Sequence, residues 1–294
     1  MEQNLLTKKQ LKEKSIEYQI PFADLLEAFL QETLMFQVLE TDFAKNLWLK
    51  NRDCFCPDAY REEWQKPLHF VYGQENGAAL PSLDEKLISD FAEEICRKRD
   101  NHIRWNYALE KEESDYLVYI TGEWEEMKVP LTIRISPLVY DMVKPEKQQL
   151  QSVFYEKKTA SYLHFPVETY LAEQIFSIIN YLELIPSMEA YDTVFHLLKQ
   201  EPVDGRHIYE TIVFLCRKEE AAPQAERIEM LASYEDYTYM KKRWEKYARK
   251  QGRENISWET VLQQILSFVT PIWDAVCRDE IFFGDWMPDL SRYL

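Results

Sequence analysis

The stretch HFPVETYLAEQIFSIINYLELIPSMEAYDTVFHLL, residues 164–198, opens the part of the chain that we predict to be helical. After Pro166 the apolar residues recur at helical spacing, and this periodicity continues through most of the remaining sequence. Within it, Glu173 places a carboxylate in an otherwise apolar pattern, and the pair Tyr191-Asp192 opens a second helix. The predicted helices span 167–184, 187–199, 206–217, 225–250 and 257–278.

The sequence before this stretch mixes helices and strands. Several segments rich in Ile, Val, Tyr and Trp alternate at period two or form short apolar runs, which predicts about five strands. The sequence therefore predicts an α+β fold, in which a small mixed-sheet domain over 1–150 is followed by a helical domain over 151–294. The predicted strands span 46–51, 67–73, 103–112, 115–125 and 129–140.

Helix signals also occur in this first half. Thr7 and Gln10 have capping-box spacing, and so do Ser82 and Glu85. Pro21 suits the first turn of a longer helix. Along this predicted helix, residues that recur every three or four positions and so share one face are Leu25, Phe29, Thr33 and Phe36. The predicted helices span 7–20, 21–43, 58–64 and 81–100.

Composition limits both the fold and the partners. The chain has 294 residues, of which 46% are hydrophobic and 29% charged, as in globular proteins with room for two domains. Only 6 glycines are present, whereas doubly wound nucleotide-binding folds and β-barrels use many glycines in turns and phosphate loops. The net charge of -16 repels polyanions, which disfavours nonspecific nucleic-acid binding except through a local basic patch.

Cysteine usage and hydropathy predict a cytoplasmic protein. The cysteines are odd in number and mostly far apart, which is typical of reduced thiols. The N-terminal sequence has no apolar core of signal-peptide length, and no run of about 18 apolar residues predicts a membrane span. The cysteines are Cys54, Cys56, Cys96, Cys216 and Cys277.

Motifs for metal binding, nucleophilic catalysis and phosphate binding are absent from the sequence. Cys54 and Cys56 have no second cysteine pair at zinc spacing, and neither H-E-x-x-H nor C-x-x-C occurs. G-x-S-x-G, Walker A and G-x-G-x-x-G motifs are also missing. The sequence therefore predicts no metal site and no resident cofactor.

The segment YTYMKKRWEKYARKQGR, residues 237–253, is the best binding candidate found by pattern. Its cations fall near one helix face with aromatic residues between them, and such mixtures can hold phosphates and stack bases. The alternative is a solvated helix face whose aromatic residues pack into the core. The candidate phosphate- or RNA-binding residues are Lys242, Lys246, Arg249 and Arg253, accompanied by Lys250, Tyr239, Trp244 and Tyr247.

The last residues, DEIFFGDWMPDLSRYL at 279–294, combine aromatic side chains with carboxylates. We predict that the aromatic residues pack back on the body of the protein. Carboxylates in this region could bind a divalent ion if several converge, and otherwise they form a charged, solvent-facing tail. These carboxylates are Asp274, Asp279, Glu280, Asp285 and Asp289.

Two segments resemble abortive-infection nucleotidyltransferases of the AbiEii type. FPVETYLAEQIFSII, residues 165–179, is similar to a helix of that family in which a Tyr-Pro-hydrophobic-Glu start leads into Ala-Glu-Lys. MEAYDTVFHLL, residues 188–198, is similar to the family's Arg-Asp-Leu-Tyr-Asp helix start. The resemblance covers residues 25–215 and implies a nucleotidyltransferase core. The residues that carry over are Glu173, Tyr191 and Asp192.

The resemblance also implies a metal site, and the sequence departs from it. In the family, carboxylates on neighbouring strands hold the metal that binds the triphosphate. Here the Lys-Gly-Gly turn keeps only Lys50, and Gln174 replaces the lysine of Ala-Glu-Lys. His69 and Val71 fall where Asp-x-Asp is expected, and Arg134 replaces the third aspartate. Because an arginine repels a metal cation, transfer by the family mechanism is not expected.

Three functions remain open on this basis. The first is a divergent nucleotidyltransferase-like protein of toxin type that lacks the metal carboxylates and binds a protein partner, such as an antitoxin. The second is an active transferase with relocated acids (Asp53, Asp58 or Asp84), which would need Mg²⁺ and a nucleoside triphosphate. The third is an RNA-binding module on the basic helix. In the first, Glu173 and Asp192 serve structure, with Asp192 paired to a cation or near a helix N-terminus. The candidate cleft comprises Lys50, Glu173, Tyr191 and Asp192.

Overall fold

A computed structural model of the protein divides into two compact units, Met1–Pro166 and Val167–Leu294. The division falls after the last strand of the first unit, and the boundary set at 150 from the sequence lies inside a strand. The residues that the structure describes are 6–52, 67–74, 80–97, 102–140 and 143–294.

The first unit is an α+β domain built on a mixed sheet, as predicted. Its described helices are α1 (Lys8–Glu17), α2 (Phe22–Leu39) and α3 (Glu85–Arg97). Its described strands are β1 (Leu47–Leu49), β2 (Leu68–Tyr72), β3 (Arg104–Glu112), β4 (Asp115–Trp124), β5 (Met127–Pro137), β6 (Glu146–Gln151) and β7 (Thr159–His164). Their order in the sheet is β3-β4-β5-β2-β1-β7-β6. β2 pairs with β5, and β1 with β7, in parallel, while the other neighbours are antiparallel.

The predicted strands are confirmed as β1 to β5, whereas β6 and β7 were not predicted. β6 reads EKQQLQ, and Leu150 is the buried residue in it. Such a polar segment lacks the apolar alternation that identifies a half-buried strand. The sheet therefore extends to His164, and this is why the first unit is longer than the sequence indicated. The predicted helix at 58–64 lies outside the described residues, as do Cys54, Cys56, Asp53 and Asp58.

One face of the sheet and helix α2 form the core of the first unit. Along β5, Leu131, Ile133 and Ile135 are buried while the residues between them are more exposed, as expected for a strand with one packed face. Leu25, Phe29, Thr33 and Phe36 are buried, but so is nearly every other residue between Leu25 and Val38, so α2 is enclosed on all sides and not on one face. Each large apolar side chain removed from water in this way contributes about 1.5–3 kcal/mol of transfer free energy.

One of the two predicted capping boxes is confirmed. The Thr7 side chain accepts from the backbone of Gln10, and the Gln10 side chain accepts from the backbone of Thr7. The box predicted for Ser82 is wrong, because α3 begins at Glu85 and the preceding Asp84 accepts a hydrogen bond from the N–H of Leu87 at 2.8 Å. Aspartate caps a helix as well as serine does, so two adjacent candidates made the sequence ambiguous.

The second unit is helical, as predicted. No helix in the described part of the chain combines the length and apolarity needed to cross a membrane. The helices of the second unit are α4 (Val167–Tyr181), α5 (Glu189–Gln200), α6 (Gly205–Lys218), α7 (Glu226–Ala232), α8 (Thr238–Lys250) and α9 (Trp258–Arg278).

The single helix predicted over 225–250 is wrong, because the chain breaks between α7 and α8. A short 3-10 turn occupies Ser233–Glu235. The carbonyl of Tyr234 would accept the N–H four residues later in a continuous helix. In the structure it accepts the N–H of Tyr237, three residues later, at 3.1 Å, and also the indole N–H of Trp258 at 2.8 Å. A distant side chain is therefore bonded to the turn that replaces the helix at this point.

The end of the chain folds back on the second unit, which confirms the predicted packing of its aromatic residues. β8 (Val203–Asp204), β9 (Asp285–Met287) and β10 (Arg292–Tyr293) form a small sheet in the order β10-β9-β8. The Trp286 indole donates to the carbonyl of Leu198 at 2.8 Å, and the Tyr293 hydroxyl donates to that of Phe268 at 2.7 Å. Burial of Trp286 and these two bonds fix the hairpin in place.

Candidate functional site

The sheet face opposite the core carries the residues that the resemblance aligns with a metal site. In the parallel pairing of β2 with β5, His69 lies beside Arg134 and Val71 beside Ser136. Paired residues share a face and side chains alternate along a strand, so these four residues project on the same side. Phe70 projects on the other side, into the core. His69, Val71 and Arg134, the three positions aligned by the resemblance, therefore share one face of the sheet.

Arg134 engages the carboxylates nearest to it. Its guanidinium donates to Asp115 Oδ2 at 3.0 Å and to Glu112 Oε2 at 2.8 Å. Both acids come from the β3–β4 hairpin, next to the strand that carries Arg134. Arg134, which the resemblance aligns with a metal-binding aspartate, is thus held by two carboxylates, and its charge favours an anion over a cation.

His69 is a neutral imidazole in this setting. Its Nε2 lies 2.8 Å from Ser136 Oγ. Burial lowers the pKa of His69 to about 3. The positive charges of Lys50 and Arg134 also lower this pKa, whereas the carboxylate of Asp115 raises it. The ring is therefore uncharged at pH 7 and can exchange a hydrogen bond with the serine, but it adds no negative charge that would attract a metal.

The turn after β1 is covered by side chains. Asn51 Oδ1 accepts the backbone N–H of His69 at 2.6 Å, while Asn51 Nδ2 donates to the carbonyl of Pro67. Arg52 donates to the carbonyl of Phe165 at 3.3 Å, and the Lys50 ammonium lies 5.2 Å from the centre of the Phe165 ring. The family's glycines would leave the backbone open to phosphate here, whereas Asn51 and Arg52 tie this turn to neighbouring strands.

No cluster of three or more His, Cys, Asp or Glu side chains suited to a metal occurs among residues 6–52, 67–74, 80–97, 102–140 and 143–294. This result covers the relocated acid Asp84, which instead caps α3. It also covers the five carboxylates near the end of the chain, which do not form such a cluster. Those carboxylates are Asp274, Asp279, Glu280, Asp285 and Asp289.

The other residues of the candidate cleft belong to the second unit. Glu173 lies on α4 and is half-buried. Tyr191 lies on α5 and is fully buried, with its ring edge-to-face against Trp258 at 5.1 Å between centroids. Burial raises the pKa of the Tyr191 hydroxyl, which has no hydrogen-bond partner among the described residues. Tyr191 is therefore a core residue, and its hydroxyl stays protonated.

Asp192 is the centre of a buried polar cluster in the first turn of α5. The Arg253 guanidinium and the Tyr247 hydroxyl both donate to its Oδ2. His196 Nδ1 is hydrogen-bonded to the backbone carbonyl of Asp192 at 2.8 Å. The same nitrogen lies 3.0 Å from Asp192 Oδ1. Burial alone would raise the pKa of Asp192, but the bonds and charges of His196 and Arg253 together hold it below the usual range. The prediction that Asp192 pairs with a cation is confirmed.

The basic helix α8 turns part of its candidate surface inward. Trp244 is buried and its indole donates to the carbonyl of Ile256. Arg253, just beyond the helix, binds Asp192. The alternative reading, in which aromatic residues face the core, therefore holds for Trp244, and it holds in part for Tyr247, which is half-buried and bonds to Asp192.

The outer face of α8 remains basic and solvent-exposed. Lys242, Lys246 and Arg249 are all exposed at helical spacing, and Tyr239 is 50% exposed one turn before them. Arg249 Nε lies 3.5 Å from Glu254 Oε1, but both side chains are largely in water, so this pair constrains the arginine little. Three of the four candidate cations thus remain accessible to an anionic partner.

Sequence reasoning did not identify Glu32, a carboxylate buried in the first unit. The Ser152 hydroxyl and the N–H groups of Val153 and Phe154 all donate to it. Burial raises the pKa of Glu32. The three hydrogen bonds lower this pKa, but by less than burial raises it. The carboxylate organises the start of the turn between β6 and β7, so its role is structural. The signal in the sequence was a charged residue inside the apolar pattern of α2.

Comparisons with known proteins add a distant likeness. No family profile and no curated protein sequence matches the chain. A candidate nucleotidyltransferase from Helicobacter pylori aligns over 86% of this chain and 95% of its own, with a TM-score of 0.42 and 10% identity. The Helicobacter pylori protein JHP933 aligns over 86% of this chain and 92% of its own, with the same TM-score and identity. A TM-score this low does not establish a shared fold.

Proposed function

We propose that this chain is a divergent nucleotidyltransferase-like protein of abortive-infection or toxin type that acts by binding a protein partner. The observation that carries the proposal is Arg134, which takes the place of the third metal-binding aspartate and occupies Glu112 and Asp115. The resemblance of the helix starts near Glu173 and Asp192 supports the family assignment.

The chemistry of transfer explains why these replacements matter. Phosphoryl transfer depends on cations that neutralise charge on the transferring group, and carboxylates position those cations. At the aligned positions this protein has a neutral imidazole at His69, two methyl groups at Val71 and a guanidinium at Arg134. Val71 and Arg134 offer no metal ligand. The neutral His69 imidazole is a possible ligand, but it is hydrogen-bonded to Ser136 and paired with the charged Arg134, so a binding role fits this face better than catalysis.

The charge of the chain limits the proposed partner. A net charge of -16 accelerates association with basic proteins and slows association with acidic ones. A small basic protein, such as an antitoxin, is therefore the proposed partner. The proposed location is the cytoplasm, which is supported by the free thiols of Cys96, Cys216 and Cys277.

A thermal-shift titration tests the proposal. Each of the four nucleoside triphosphates is added to the full chain with and without Mg²⁺ or Mn²⁺, because a ligand that binds only the native state raises its melting temperature. The proposal predicts no metal-dependent shift at millimolar ligand. A metal-dependent shift that disappears in Lys50→Ala would place a metal-bound nucleotide on this sheet face, and the proposal would then be wrong.

RNA binding is a second candidate function, favoured by the exposed stripe of Tyr239, Lys242, Lys246 and Arg249. Filter binding of single-stranded RNA should then weaken steeply with salt, by a log–log slope of about 0.7 per phosphate contact. The triple reversal of the three cations to glutamate should abolish binding. Reversal of Arg217 and Lys218, which are exposed on α6, is the matched control. Binding that is insensitive to salt or to the triple reversal would exclude this function.

A further inference from the structure

The terminal segment 279–294, which includes the hairpin, carries exposed apolar groups beside exposed carboxylates. We call this the tail surface. Its apolar side chains are 51–67% exposed, which is unusual for four large apolar residues in so short a segment. These side chains are Ile281, Phe283, Leu290 and Leu294. The exposed carboxylates among them are Asp279, Glu280, Asp285 and Asp289.

The core of the second unit does not use these apolar groups. Trp286 and Tyr293 project from the opposite side of the hairpin and contact Phe268, with ring centroids 5.1 and 5.3 Å away. Phe282 completes this inner layer, edge-to-face with Tyr293 at 4.9 Å. The inner side therefore anchors the hairpin. On the outer side, the Arg206 guanidinium lies 5.4 Å from the centre of the Phe283 ring, and this ring is still 65% exposed.

Hydrogen bonds between the strands bring the apolar and acidic groups of the tail surface together. The backbones of Asp285 and Leu294 bond to each other in both directions, at 3.4 and 3.0 Å. Directly opposed residues of an antiparallel pair share a face, so this carboxylate and this leucine are neighbours on the outer side. On the other edge of β9, Asp204 lies opposite Asp285 and extends the acidic character.

The four carboxylates of the tail surface form no ion pair with the described residues of the chain. Arg292 is the one cation among residues 279–294. An approaching cation would therefore meet carboxylates that are not neutralised, while an apolar side chain of the same partner would cover exposed hydrocarbon.

We propose that the tail surface binds a positively charged, amphipathic segment of a partner protein. Charge complementarity selects this occupant, because the same carboxylates repel nucleic acids and anionic lipids. Phe283 and Leu290 are the apolar anchors, and Asp285 and Asp289 set the charge preference. The inference deepens the proposed binding function by naming its surface and the chemistry of the partner.

Fluorescence anisotropy with the full chain tests the inference. The probe is a labelled amphipathic peptide of leucine and lysine, and the matched probe has glutamate in place of lysine. We expect the lysine peptide to bind and the glutamate peptide not to bind. Phe283→Ser with Leu290→Ser should weaken binding of the lysine peptide by about tenfold or more. Leu184→Ser with Met230→Ser, which also replaces exposed apolar residues of the second unit, should leave it unchanged.

The charge preference is tested separately. Asp285→Asn with Asp289→Asn should weaken binding and flatten its dependence on salt. The tail variant is Phe283→Ser with Leu290→Ser, and its control is Leu184→Ser with Met230→Ser. The inference would be overturned if both variants bound the lysine peptide with equal affinity, or if the wild type bound both peptides equally. A wild-type dimer in sedimentation that the tail variant abolishes would also overturn it, because a second copy of the chain would then be the occupant. None of these outcomes depends on nucleotide or metal. The peptide experiments therefore test the tail surface independently of the nucleotide titration, which tests the proposed function.

Discussion

Replacing Arg253 by alanine should destabilise the second unit, because the change removes the cation that pairs with a buried carboxylate. Asp192 is 5% exposed, and its Oδ2 accepts from Arg253 and Tyr247. Alanine at 253 leaves the carboxylate buried with the Tyr247 hydroxyl and the nearby His196 ring. A buried charge without a cation is costly, since burial removes it from water.

The size of the effect follows from the exposure of the two partners. Breaking a fully buried ion pair by removing one partner costs about 3–5 kcal/mol, whereas a surface pair contributes about 0–1 kcal/mol. The Arg253 side chain is 39% exposed and that of Asp192 is 7% exposed, so the pair lies between these limits. We expect Arg253→Ala to lower the free energy of unfolding by about 2 kcal/mol at neutral pH.

Urea denaturation followed by far-ultraviolet circular dichroism measures this loss. The matched control is Lys250→Ala, which removes an exposed cation at the end of α8, three residues before Arg253. The control should change the free energy of unfolding by less than about 0.5 kcal/mol, as is usual for surface positions. If Arg253→Ala and Lys250→Ala have the same effect, the buried pair does not stabilise the second unit and the reasoning is refuted.

The same pair predicts a pH dependence. The partners of Asp192 hold its pKa below the ordinary value of 3.8, so its contribution to stability is present above 3.8 and is lost as pH falls through the lower folded value. The difference in the free energy of unfolding between wild type and Arg253→Ala should therefore stay constant above about pH 3.8 and become smaller at lower pH. A difference that widens on acidification would contradict the assignment.

Three further outcomes are expected. Burial raises the pKa of Glu32, so its contribution to stability should decline as pH rises above 4.5, and urea titrations of Glu32→Gln should lack this decline. The His69 ring should not titrate by NMR between about pH 5 and 8, because burial lowers its pKa to about 3; a midpoint near 6.5 would contradict that burial. Trp286→Ala should lower the free energy of unfolding by about 3–5 kcal/mol, and Leu290→Ala by less than about 0.5 kcal/mol; equal effects would contradict the packing of the hairpin.

Local rules predicted much of the fold. Helical spacing identified α2, and the Thr7–Gln10 box followed from side-chain chemistry within one turn. The misses needed information from distant residues. The turn before α8 is bonded to the indole of Trp258, 24 residues after Tyr234. β6 joins the sheet through pairing with β7, which its polar sequence EKQQLQ does not signal.

The candidate site shows the same limit. Alternation along β2 placed His69 and Val71 on one face, and the resemblance aligned Arg134 beside them. The carboxylates that hold Arg134 come from another hairpin, and their approach depends on a strand register that no local pattern fixes. Likewise, Arg253 binds Asp192, which is 61 residues away in the sequence. A residue that the sequence suggested for RNA binding is therefore a structural partner of a buried carboxylate.

Transfer of labelled nucleotide tests the central claim most directly. The full chain is incubated with each labelled nucleoside triphosphate, Mg²⁺ or Mn²⁺, and RNA and protein acceptors, and products are compared with those of Lys50→Ala. With Arg134 at the aligned third-carboxylate position, we predict no metal-dependent transfer by either protein. Metal-dependent transfer by the wild type that is lost in Lys50→Ala would show that this sheet face is catalytic, and it would contradict the claim that the protein acts by binding.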